Sequence, residues 1–161
     1  MFFKKKMAVD DYCEACLKAL FEPDREKVWE QFRQACNDPA LSGIDKTAYM
    51  EHMRAIMIEL VLISITKTFN LHISSDAGFF VMFYLKDNNA TQIHEIGRTY
   101  NQVFGGTPQD GVAGIVQSFS QQLADGQLRQ DTLQHLHIEL YSVLNSLYND
   151  FKSIKLTTKR V

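Results

Sequence analysis

Apolar residues recur three and four positions apart along most of this chain, a spacing that predicts helices. Asp10 and Asp11 open a first stretch in which Tyr12, Cys13, Cys16, Leu17, Leu20 and Phe21 share a face, and acids at its start suit the positive end of a helix dipole. Pro23 marks a second start, with Val28, Trp29, Phe32, Ala35 and Cys36 as its buried face. Residues 37–43, NDPALSG, read as a break. Asp45 is expected to cap a longer helix that runs to Phe69. Tyr49, Met53, Ile56, Met57, Leu60, Ile63 and Ser64 trace one of its faces, while Ile58, Val61, Leu62 and Ile65 cover much of the rest. A helix apolar nearly all round is the central member of a bundle. Glu51, Arg54, Glu59 and Lys67 then belong near its ends or along a narrow wet seam.

Residues 78–85, GFFVMFYL, form the most apolar run. Eight apolar residues without strict alternation fit a buried strand or a buried helix equally. No second strand-like run is present to pair with this one, and a lone strand would leave its backbone groups unsatisfied. A buried helix from Asp76 to Asp87 is therefore expected, with Ser74 or Ser75 as its cap and Lys86 at its negative end. A short β hairpin near residues 70–85 is the competing reading. Ile93, Ile96, Tyr100, Val103 and Phe104 mark the next helix. Val112, Ile115, Val116, Phe119 and Leu123 mark another, after Pro108 and before the stop at Asp125-Gly126. Leu133, Leu136, Leu140, Leu144, Leu147, Phe151 and Ile154 stripe the last. The expectation is an all-α, single-domain bundle of about six to seven helices over residues 8–155, with basic, flexible tails at 1–7 and 156–161.

Composition changes this picture little; the layout of charge changes it more. The chain has 161 residues and a net charge of −2. Lys4, Lys5, Lys6, Lys152, Lys155, Lys159 and Arg160 all lie in the two ends, where there are no acids, so residues 8–151 carry −9. An acidic body disfavours nucleic acid and favours basic partners or simply solubility. Should the two ends meet, their seven cations and Phe2 and Phe3 could touch an anionic membrane surface; frayed, solvated ends are the plainer account. No secretory signal or membrane-spanning stretch is expected. An odd three cysteines fit a reducing compartment, hence a cytoplasmic location.

Few residues carry a chemical signature. Cys13 and Cys16 form a CxxC without a preceding strand, and Asp10 and Asp11 would raise the thiol pKa rather than lower it. The pair reads as core packing, as half of a zinc site needing two more ligands, or as a redox pair. Asp131, His135 and Glu139 share one helix face, opposite the leucine stripe, as a solvated face or a ligand array. No Glu-x-x-His, nucleophile elbow or phosphate-binding loop occurs. Gly105-Gly106 before Pro108 is a helix–helix turn. No cofactor or metal is expected.

Three functions follow as expectations. The first is a non-enzymatic protein-binding module of immunity, adaptor or chaperone type, docking basic groups through Asp110, Asp125, Asp131 and Glu139. The second is a small-molecule-binding bundle with an aromatic-lined cavity among Phe79, Phe83, Tyr84, Tyr100 and Phe119. The third and weakest is a metal-dependent enzyme using the cysteines or the His135 array. A homodimer would bury any apolar face left over on the central helix or on residues 78–85.

Overall fold

A computed structural model describes residues 4–158. Eight helices form among the described residues: α1 Val9–Leu20, α2 Pro23–Ala35, α3 Pro39–Ser42, α4 Lys46–Thr68, α5 Leu71–Asp87, α6 Thr91–Val103, α7 Pro108–Ala124 and α8 Gln130–Ser153. The all-α expectation is met, with one addition. Strand β1, Lys5–Ala8, pairs in parallel with β2, Ile154–Thr157, in the register Lys5↔Ile154 to Ala8↔Thr157. Parts of both basic ends are thus built into a small sheet, where loose tails were expected. Met1, Phe2, Phe3, Lys159, Arg160 and Val161 lie outside the described residues.

α4 is the axis of the bundle. Thirteen of its 23 residues are buried, which requires neighbours all round, and it packs against α1, α2, α5, α6, α7 and α8. Asp45 caps it as expected, its carboxylate accepting from the Ala48 N–H at 3.0 Å. Pro23 and Pro108 stand in the first turns of α2 and α7, and Thr107 and Asp110 close a capping box on α7. The expected break at residues 37–43 holds a one-turn helix, α3, fixed by Asp38. That side chain is 1% exposed; it accepts from Ala40 N–H and, across the molecule, from Arg129 N–H and the Thr132 hydroxyl at the start of α8.

The run at 78–85 is helical, and the hairpin reading falls. α5 starts earlier than the serines suggested, because the Asn70 side chain accepts from Ile73 N–H at 3.1 Å and Ile73 turns into the core. The expectation of burial is corrected too. Only Ile73, Ala77, Val81 and Leu85 are buried, a single stripe four residues apart, packed against α1, α4 and α6. No helix among the described residues is long and apolar enough to cross a membrane.

Candidate functional site

The outer face of α5 is the first feature the core does not explain. Leu71, Phe79, Met82 and Phe83 are 78%, 61%, 36% and 54% exposed. At 100° per residue Phe79, Met82 and Phe83 fall within one face of the helix, with Leu71 at its edge. Among them stand His72, Ser75 and Lys86, also exposed, so the face is largely apolar and nearly uncharged. The proposed aromatic cavity does not form around these residues. Phe79 and Phe83 point to solvent, and Tyr84 is half-buried beside Phe80. Tyr100 and Phe119 are fully buried elsewhere, both edge-on to His52.

The four acids offered for docking are exposed, and three have local tasks. Asp110 completes the α7 capping box. Asp125 takes the left-handed conformation that ends α7 (φ 47°). Asp131 pairs with Arg129 and caps Thr132 N–H. Glu139 is exposed on α8 with no ion pair among the described residues, and His135, also exposed, is one turn away.

A buried polar seam joins α4 to α6. His52 Nδ1 lies 2.6 Å from the Tyr100 hydroxyl. Burial pushes the Tyr100 phenol up, so it keeps its proton and donates. Burial also holds the His52 imidazole below its ordinary value, with the Glu51 charge opposing, so the ring accepts at Nδ1 as the neutral species. Two turns along α4, Glu59 is 4% exposed, and its Oε2 accepts from Asn101 Nδ2 at 3.0 Å. Burial pushes this carboxyl up to about 7 against the pull of that hydrogen bond. Gly97 makes room for it: a Cβ there would lie 2.7 Å from Glu59 Oε1. Glu59 borders a shallow cleft of about 270 Å³ with His94, Arg98 and Gln102. The seam was visible in the sequence only as Glu59 on an apolar helix and a glycine inside an amphipathic one.

A second recess lies between α1, α2, α4 and α8. This groove of about 230 Å³ is lined by Leu20, Met57, Val61, Val143 and Leu147, with Trp29 and Cys16. Arg25 and Ser146 complete it. Cys16 lines this groove and Cys13 belongs to the buried core. Cys13 is 1% exposed with its thiol pushed up to about 12, chiefly by burial and then by Cys16 and Asp10. Cys16 is raised too, again chiefly by burial. Thiols held protonated do not act as redox nucleophiles. Cys36 is buried near the start of α8, where Arg129 reaches its carbonyl. Among the described residues no three His, Cys, Asp or Glu side chains converge as metal ligands.

Comparison with protein-family models, with curated proteins and with solved structures finds no match to this chain.

Proposed function

We propose that this chain is a non-enzymatic protein-binding module whose contact surface is the outer face of α5, and that its partner is a second copy. The carrying observation is four large apolar side chains turned to solvent on a helix whose opposite stripe is fully buried. A contiguous apolar patch of this size is often a functional contact surface. An identical pair can cover it by a two-fold axis, the commonest symmetry of small assemblies. With α5 antiparallel to its mate and centred between Phe79 and Phe83, each Phe79 meets the other copy's Phe83. The helix dipoles then oppose, and the face itself carries a single charge, Lys86.

Area sets the strength. Side chains of this size bury about 150–250 Å² each, so the exposed parts of the four come to roughly 400 Å². That is about half of the ~800 Å² per partner in a standard interface. The dimer is accordingly weak, with a Kd of about micromolar or above. The acidic-surface version of this reading has less support, since Asp110, Asp125 and Asp131 already serve the fold.

Sedimentation equilibrium from about 10 to 500 μM spans that range. The chain should pass from one to two copies with rising concentration. Phe79→Ser/Phe83→Ser, which touches only exposed positions, should keep the helical circular dichroism and stay monomeric throughout. A wild-type chain that is monomeric at every concentration, or a double variant that still dimerises, refutes the proposal.

A further inference from the structure

We propose that the groove between α1, α2, α4 and α8 binds a medium-chain carboxylate, with the alkyl tail inside and the head on Arg25. This site is separate from the α5 face and does not depend on dimerisation. The groove has the composition of a small-molecule site, mostly apolar walls with a few polar groups at the edge. Leu20, Met57, Val61, Val143 and Leu147 supply the apolar surface, and Trp29 an aromatic wall. Its α2 side is firmly held. Tyr49 Oη donates to the Trp29 carbonyl at 2.9 Å, and Arg54 of α4 pairs with Glu26.

Charge chooses the ligand. Arg25 is the one charged residue lining the groove, and its guanidinium has no hydrogen bond or ion pair among the described residues. The acids next to it in sequence are taken: Asp24 by Lys27 and Glu26 by Arg54. An unpaired guanidinium beside an apolar recess suits a carboxylate, whose two oxygens match its fork. Volume chooses the length. At about 30 Å³ per heavy atom, the share of one liquid water, 230 Å³ takes about eight heavy atoms. An eight-carbon carboxylate places its chain inside and its head at the rim.

Trp29 is the only tryptophan in the chain, so its fluorescence reports occupancy directly. Titration with octanoate should change it saturably. Each methylene buried tightens binding about fourfold, so octanoate, with two more, should bind about fifteenfold tighter than hexanoate, and dodecanoate little tighter than octanoate once the groove is full. Octanol, lacking the charge, should bind about tenfold more weakly than octanoate. Arg25→Gln, at an exposed position, should erase that preference and leave octanol unchanged. Val143→Phe, which fills the groove from a half-buried position on α8, should abolish the response to both while circular dichroism is retained. No saturable response to octanoate overturns the proposal. So does an Arg25→Gln variant that binds octanoate as wild type does, or affinity that climbs without limit through dodecanoate, the mark of non-specific adsorption.

Discussion

Glu59 sits on the helix that carries most of the core and brings an ionisable group with it. Its ordinary value is 4.5 and its folded value about 7, raised by burial. Below pH 4.5 the carboxyl is neutral whether the chain is folded or not. Between pH 4.5 and about 7 the unfolded chain gives up the proton while the folded chain keeps it, so stability falls as pH rises. Over the whole interval the loss is about 3 kcal/mol, complete above pH 7. His52 works in the opposite sense. Its folded value is lowered from 6.5, so the unfolded chain takes up a proton that the folded chain refuses, and stability falls as pH drops below 6.5. Glu59→Gln keeps the shape and the acceptor for Asn101 but cannot ionise, and it leaves His52 in place. The difference between wild-type and variant urea midpoints across pH 4–8 therefore isolates the carboxyl. The variant should be the more stable by up to about 3 kcal/mol at pH 8, and the gap should close toward pH 4. A gap that does not change with pH would mean the carboxyl is not buried as described.

At the scale of elements, the corner between α6 and α7 shows how closely the helices approach. A Cβ at Gly114 would come 2.5 Å from the Val103 carbonyl oxygen, and one at Gly111 would enter the Phe104 ring. A backbone oxygen cannot swing aside as a side chain can. Gly114→Ala should thus cost about 1–3 kcal/mol in urea unfolding through forced displacement, although alanine is the better helix former by about 1 kcal/mol. An unchanged or raised midpoint would show that the two helices separate freely. Helices with one apolar stripe and marked ends were legible in the sequence: Asp45 capped α4, and Pro23 and Pro108 opened α2 and α7. The orientation of α5 was not. When nearly every position is apolar the pattern holds no phase, and packing against α1, α4 and α6 decides that Val81 turns in and Phe79 out. The start of α5 was hidden for a related reason, since Ser74 and Ser75 read as the cap but lie inside the helix that Asn70 caps, with His72 and Ser75 on exposed positions. The groove had no sequence signal at all, because Leu20, Arg25, Val61 and Val143 meet only through the fold of four helices.

For the whole molecule, the two ends matter more than their lysines suggest. Parallel strands need a crossover between them, and here the connection is the entire helical body from Val9 to Ser153. Two four-residue strands are marginal alone, and these are held by packing on α1 and α8. Leu156 is 2% exposed beside its register partner Met7, Lys4 Nζ donates to the Phe151 carbonyl at 3.0 Å, and the Thr157 hydroxyl donates to the Met7 carbonyl. Lys6 opposes Lys155 in the same ladder, a like-charge pair that weakens it. The reading of loose basic ends followed the charge and overlooked alternation: Lys6 and Lys155 are exposed while Leu156, the next residue along β2, is buried. If the sheet closes the domain, Leu156→Ala removes a buried side chain at the point where both ends are tied and should cost about 2–4 kcal/mol. Lys155→Glu, opposite Lys6, should instead gain about 0.2–1 kcal/mol, and that gain should fade in high salt. Urea unfolding of both variants at low and high ionic strength separates the apolar contribution from the charged one. A Leu156→Ala midpoint equal to wild type would mean that the strands fray without consequence and that the helices alone hold the fold.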